Sequence, residues 1–281
     1  MAEIHQASAV LSASALLRGE KKTPTIDTRD CRHGRMTYFP HDHYIGGSLD
    51  TYGEYVEEEC EFLLRGVPVG GFVVEVGANI GCHTIPLAKR VGPAGRVLAF
   101  EPQRVIFQML CGNLAINGLW NVMAECAALG EGDGVTRVPV VDYSTAGNFG
   151  AVSLCPEQLS ADNPYEFVTM RTLDSFGLSR CDLIKIDVEG MELEVLQGAQ
   201  DTIMTHRPLL YVENDRPEKQ RALVSYIRDL DYDPYWHIPM LYNPKNFRGH
   251  AENIFGNVAS FNMACCPSER EVKTNLDRVE L

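Results

Sequence analysis

The 281-residue sequence contains no long cluster of Lys and Arg; 25 basic residues stand against 38 acidic ones, for a net charge of −13. A phosphate backbone would meet a repulsive overall field, so nucleic acid is not an expected partner. No C-x-x-C pair occurs either: the nine cysteines are scattered singly apart from Cys265-Cys266, with no His/Cys spacing of the kind that builds a zinc site. An odd, dispersed set suits a reducing compartment, and a cytoplasmic protein is the expectation. The apolar stretch from Ala9 to Leu17 is preceded by Glu3 rather than by a basic segment and is too short to span a bilayer. Neither a signal peptide nor a membrane span is expected.

What is present is enough apolar material, 45% of residues, for one α/β domain. Residues 1–48 have weak periodicity and read as an N-terminal extension with short strands, leaving 49–281 as the main domain. Asp50 to Leu64 carries Tyr52, Tyr55, Val56, Cys60, Leu63 and Leu64 at helical spacing, with Glu57, Glu58, Glu59 and Glu61 mostly opposite. Short apolar runs at 72–76, 96–100, 121–126, 182–187 and 208–213 read as buried strands, with helices between most of them. One helix is expected from Met191 to about Thr205, another from Glu218 to Leu230, and further strands at 232–238 and 257–264. Strand and helix alternate almost throughout, which predicts a mostly parallel, doubly wound sheet with ligands at the carboxyl ends of its strands. Residues 142–166, rich in Gly, Ser, Asn and Pro, read as a long insertion, with a substrate lid the preferred role.

The turn after the first buried strand is Glu75-Val76-Gly77-Ala78-Asn79-Ile80-Gly81-Cys82. Gly77 and Gly81 permit a sharp turn and close approach of a ligand, and the following helix offers free NH groups. Glu101, after the next strand, can accept hydrogen bonds from ribose hydroxyls. A dinucleotide site needs G-x-G-x-x-G so that the main chain can touch a pyrophosphate, but Asn79 and Cys82 hold the second and third glycine places. Glu75 sets a carboxylate where an ammonium can be held. S-adenosylmethionine has such a group and NAD does not.

Two segments resemble the FkbM-type methyltransferases: Val74 to Gly81 with Thr84 after it, and Ile184-Lys185-Ile186-Asp187-Val188-Glu189-Gly190-Met191-Glu192 with Leu196, Gly198 and Ala199 following. Tyr52-Gly53-Glu54-Tyr55 is similar to the segment before the first strand of that family. The resemblance implies a Rossmann-like class I fold with an antiparallel C-terminal strand. It also implies O-methylation of a hydroxyl on a sugar, polyketide or related metabolite, with Gly77, Asn79, Gly81 and Glu101 as S-adenosylmethionine contacts. Tyr52, Glu54, Glu75, Thr84 and Pro102 complete the expected cofactor set. Pro86 departs from the pattern, since it would kink the helix unless it lies in the first turn.

Asp187, Lys185 and Glu213 lie at strand ends and are the candidate catalytic groups. Asp187 with Glu213-Asn214 resembles the metal-binding set of catechol-type methyltransferases, except that Glu213 replaces an Asp; Mg²⁺ or Ca²⁺ would suit such oxygen ligands. The alternative role for Asp187 and Glu189 is capping of the next helix. Lys185 serves equally well as a paired structural lysine, and His83 is the histidine nearest the glycine loop. A nicotinamide-dependent oxidoreductase and a noncatalytic nucleoside-binding module are the competing functions.

Overall fold

In the computed structural model, which describes residues 23–154, 164–271 and 274–280, the apolar runs become the strands of a seven-stranded sheet. In chain order the elements are β1 (Asp27–Cys31), β2 (Gly34–Tyr38), α1 (Ile45–Thr51), α2 (Glu57–Gly66), β3 (Phe72–Val76), α3 (Thr84–Val91), β4 (Arg96–Phe100), α4 (Arg104–Ile116) and β5 (Val122–Glu125). There follow β6 (Ala127–Leu129), β7 (Gly134–Pro139), β8 (Tyr165–Arg171), β9 (Leu183–Ile186), α5 (Glu192–Gln197), α6 (Gln200–His206), β10 (Leu209–Glu213), α7 (Pro217–Asp229), β11 (Tyr232–His237) and β12 (Asn262–Pro267).

The large sheet runs β11-β12-β10-β9-β3-β4-β5, with only β12 antiparallel to its neighbours. This is the doubly wound α/β sheet that the sequence predicts. Both faces are covered, so the strands need apolar residues on both sides. Val73, Leu183 and Tyr211 enter one core, while Val74, Val76, Ile184, Ile186, Leu210 and Val212 enter the other. From β3 the chain winds outward to β4 and β5, then returns on the other side with β9 and β10. The crevice beyond the ends of β3 and β9 is therefore the topological switch point, where open α/β sheets place ligands.

The β1–β2 hairpin lies within the N-terminal extension, but Cys31, Met36, Tyr38 and Phe39 share a core with Leu49, Ile85 and Leu183. Asn113 ties that hairpin to the glycine loop, its Nδ2 donating to the carbonyls of Thr37 and Ile80 at 3.0 and 2.9 Å. Packing thus runs unbroken across the expected boundary near residue 48, which falls inside α1.

Two expected helices are each divided. Between α1 and α2, Gly53 and Val56 take positive φ, and Tyr52 and Glu54 turn toward the C-terminal loop instead of continuing a helix. Between α5 and α6, the Gly130 carbonyl passes so close to Gly198 that any Cβ there would collide with it. Pro86 is the third residue of α3, where the missing NH has no intrahelical partner to lose.

The insertion 142–166 joins β7 and β8, which pair antiparallel and, with β6, form a separate three-stranded sheet. Its first half packs inward: Phe149 is buried, and its carbonyl accepts from Gln103 Nε2 at 3.0 Å. Residues 155–163 of the expected lid lie outside the described residues, as do residues 1–22 of the extension.

Candidate active site

Two adjoining cavities open at the switch point. The larger, about 300 Å³, lies over the ends of β3, β9 and β10, between the glycine loop and residues 241–260. The smaller, about 40 Å³, is a mostly apolar slot between Phe100 and Pro102 on one side and Leu129, Leu154, Val188 and Met191 on others. Gly77, Glu101, Gly150, Asp187 and Glu189 line both.

Gly77 has φ +84, and a Cβ on it would overlap the Asp187 carbonyl oxygen, so only glycine lets the two motif segments meet. Asn79, also left-handed at φ 48, accepts from the Ile80 NH at 2.8 Å through its side-chain oxygen. Glu101 is buried and accepts from the Asn79 NH at 3.0 Å and the Gln103 NH at 2.8 Å. Each of its oxygens keeps a second lone pair for a ligand hydroxyl. Burial pushes its carboxyl up to about 7, against the two backbone donors.

Glu75 and Lys185 are neighbours in register across β3 and β9, so both point to the floor of the larger cavity. The Lys185 ammonium, 2% exposed, lies 3.0 Å from Asp187 Oδ2 and 4.0 Å from Glu59 Oε1. Burial works against its charge, but Asp187, Glu59 and Glu75 outweigh burial and hold it well above the usual lysine range. Lys185 is thus a buried cation paired with Asp187, whose carboxylate it orients. Burial pushes Glu59 and Glu75 up to about 7 each, with Lys185 pulling the other way. Burial, reinforced by the Lys185 charge, holds the His83 imidazole far below its usual range, and therefore neutral.

Among the described residues, the buried Glu75 Oε2, His83 Nε2 and Glu213 Oε2 have no hydrogen-bond partner, and all three residues line the larger cavity. Such atoms are costly to leave unsatisfied. Asp187, Glu189 and Glu213 bring one oxygen each within 4.8 Å of one another. Asp187 is balanced by Lys185 and Glu189 by Arg216 at 2.8 Å, whereas burial and the neighbouring acids push the Glu213 carboxyl far up. The start of α5 carries no side-chain cap; Glu192, its first residue, reaches back so that its Oε1 accepts from the Gly190 NH at 2.9 Å in the preceding turn.

Several expected residues do other work. Tyr52 and Glu54 line neither cavity. Tyr52 Oη donates to the Glu252 carbonyl and accepts from the Ile254 NH at 2.8 Å. Glu54 accepts from Arg32 Nε at 2.6 Å, Asn243 Nδ2 at 2.7 Å and the Phe247 NH at 2.7 Å. Both anchor the loop that roofs the site. Asn214 turns its amide toward Met263 Sδ at 3.2 Å and is absent from the cavity wall. Thr84 is buried beneath Glu75, and Pro102 lines the apolar slot.

Glu59, Tyr55 and Ser260 line the cavity although no sequence signal singled them out as site residues. Glu59 sits in an acidic run that looks like a solvated helix face, and only the inward turn of α2 reveals it.

The profile of the FkbM methyltransferase domain matches residues 75–234. The chain is 30% identical over 178 residues to Methyltransferase sdnD of Sordaria araneosa, covering 53% of this chain and 68% of that protein. It is 29% identical over 153 residues to Methyltransferase 1 of Beauveria bassiana, covering 48% of this chain and 60% of that one. Among solved structures, the methyltransferase FkbM of Methylobacillus flagellatus aligns with 69% of this chain and 43% of its own, at 20% identity and a TM-score of 0.45. With the profile match covering more than half of its length, the chain belongs to the FkbM methyltransferase family.

Proposed function

We propose that the protein transfers the methyl group of S-adenosylmethionine to a hydroxyl of a small molecule such as a sugar or polyketide. The observation that carries this reading is the pair of orphaned buried atoms, Glu75 Oε2 and His83 Nε2, beside the glycine turn. An amino-acid end suits them: its ammonium can donate to Glu75 Oε2 and its carboxylate can accept from His83 Nε2 when that nitrogen carries the ring proton, whereas the NH groups of Gly77 to Gly81 are already engaged within the protein. The apolar slot suits a flat purine, and Glu101, shared by both cavities, suits the ribose between them. A nicotinamide dinucleotide suits the site poorly. Among the described residues, Glu59, Glu75, Glu101, Asp187, Glu189, Glu213 and Asp215 line the larger cavity with Lys185 as the one lysine or arginine there, and Lys185 is already paired with Asp187, so even with part of the acids protonated the field does not attract a pyrophosphate. The same field disfavours a polynucleotide acceptor.

Transfer is an in-line displacement at the sulfonium carbon, so alignment of the acceptor oxygen is the chief requirement. Asp187, oriented by Lys185 and partly exposed to the cavity, is the group we assign to take the hydroxyl proton.

A second reading adds a hard divalent cation, Mg²⁺ or Ca²⁺, because the all-oxygen cluster Asp187, Glu189 and Glu213 leaves Glu213 without a balancing charge. Such an ion would lower the pKa of a bound hydroxyl. Full activity after chelation and metal-free dialysis would remove it. Thermal-shift titration tests the main reading: S-adenosylmethionine and its demethylated product should raise Tm, and Glu75→Gln should weaken the response. Stabilisation by NAD alone would overturn it, and binding without turnover on a broad hydroxyl panel would favour a noncatalytic module.

A further inference from the structure

On the far side of α2 from Lys185, the turn of the β1–β2 hairpin meets the helix. Glu57 and Cys60, three positions apart, occupy one face of the first turn of α2, and His33 reaches them from the hairpin turn. His33 Nε2 lies 2.8 Å from Glu57 Oε2, 3.1 Å from Glu57 Oε1 and 3.4 Å from Cys60 Sγ. Three donor atoms of three residue types thus converge within 4.8 Å.

Hydrogen bonding alone satisfies this convergence poorly. If Nε2 carries a proton, it donates to the carboxylate and has no lone pair for the thiol. Without that proton, it accepts from the thiol but sets its lone pair against the carboxylate oxygens at 2.8 Å. A cation placed among the three serves all of them. Ligands about 2.0–2.3 Å from a tetrahedral ion stand roughly 3.3–3.6 Å apart; Cys60 Sγ already lies 3.4 Å from His33 Nε2, while the Glu57 oxygens at 2.8 and 3.1 Å must draw back by about half an ångström or less to admit the ion.

We propose that His33, Glu57 and Cys60 form a three-ligand site for a borderline-soft divalent cation of the zinc type, with water in the fourth position. Thiolate, imidazole and carboxylate together select such an ion over Mg²⁺ or Ca²⁺. On binding, the cation takes the place of the thiol proton, and the ring proton moves to Nδ1. The two negative ligands neutralise the ion. Arg32, whose Nε is 3.6 Å from Glu57 Oε2, opposes it, but that guanidinium is engaged more closely by Glu54 at 2.6 Å. Lys89 turns its ammonium to the His33 carbonyl, and Glu58, Glu59 and Glu61 add negative charge along α2. The ion ties the hairpin to the helix that carries Glu59 into the active-site cavity, so its role is to hold α2 and not to take part in transfer.

Cobalt(II) added to the full chain is the probe, because its spectrum reports the ligands. One equivalent should give a near-ultraviolet thiolate charge-transfer band and the intense visible bands of a four-coordinate ion. Cys60→Ser should abolish the thiolate band, and Cys60→Ser and His33→Ala should each weaken zinc binding, measured against a chromophoric chelator, by at least about 100-fold. Cys111→Ser, at an exposed cysteine elsewhere, should change neither. Retained S-adenosylmethionine thermal shifts would certify that the variants are folded. A spectrum like that of aqueous cobalt, or a thiolate band that survives Cys60→Ser, would overturn the proposal, and binding without that band would place the ion at the all-oxygen cluster instead.

Discussion

Replacing Lys185 with Met removes the cation that sits among Glu59, Glu75 and Asp187 while keeping the volume of the side chain. With an effective dielectric of about 20, the pairs at 3.0 and 4.0 Å represent gross attractions of about 5 and about 4 kcal/mol. Most of that offsets the cost of burying the ammonium. The measurable loss is set by what remains: two buried carboxyls with no counter-charge. Above pH 7, where Glu59 and Glu75 ionise in the intact protein, the loss should be about 3–5 kcal/mol. At pH 5.5 both are already protonated, so only the partly exposed Asp187 pair is lost, about 1 kcal/mol or less. Urea unfolding at pH 5.5 and pH 8 measures both values, and adding Glu59→Gln should recover part of the loss at pH 8. An equal loss at both pH values would refute the buried-cation reading. Unchanged stability with kcat abolished would make Lys185 a proton-transfer group instead.

The ligand-free protein should lose stability as pH rises. Glu59, Glu75 and Glu101 are held at about 7 when folded against an ordinary 4.5, so the folded state keeps protons that the unfolded chain has released. Their contribution is complete below pH 4.5 and is lost through pH 7, at about 1.4 kcal/mol per group per pH unit. His83 and His237, both held below their ordinary 6.5 by burial, act in the opposite sense but are outnumbered by the raised acids, to which Glu189 at about 7 adds a fourth. Urea midpoints at pH 5.5 and 7.5 should therefore fall with pH, and a rise would contradict the assignment. Gly77→Ala should cost roughly 1–2 kcal/mol for its left-handed backbone alone. Its overlap with the Asp187 carbonyl should displace the end of β9 and lower kcat/KM about 100-fold, since a shift near 1 Å has that effect. Wild-type kinetics in Gly77→Ala would show that β3 and β9 do not need this contact.

The buried strands were legible because a parallel sheet covered on both faces demands continuous apolar runs, and 72–76, 96–100 and 183–186 obey that demand locally. β7 was not legible: its face is largely exposed, so no apolar period marks it. The divided helices were not legible either, because Gly198 is fixed by the distant Gly130 carbonyl and Glu54 by Arg32 and Asn243.

The sequence by itself determined the switch-point turn, its glycines and the acids at the strand ends, since these are contiguous motifs whose chemistry follows from adjacent residues. Only the tertiary structure decided that Lys185 is a paired cation, that Tyr52 and Glu54 hold the roof of the site, and that Glu59 and His83 enter the cavity. Those roles depend on charges and donors brought together from segments tens to hundreds of residues apart, and burial, not local pattern, sets their protonation.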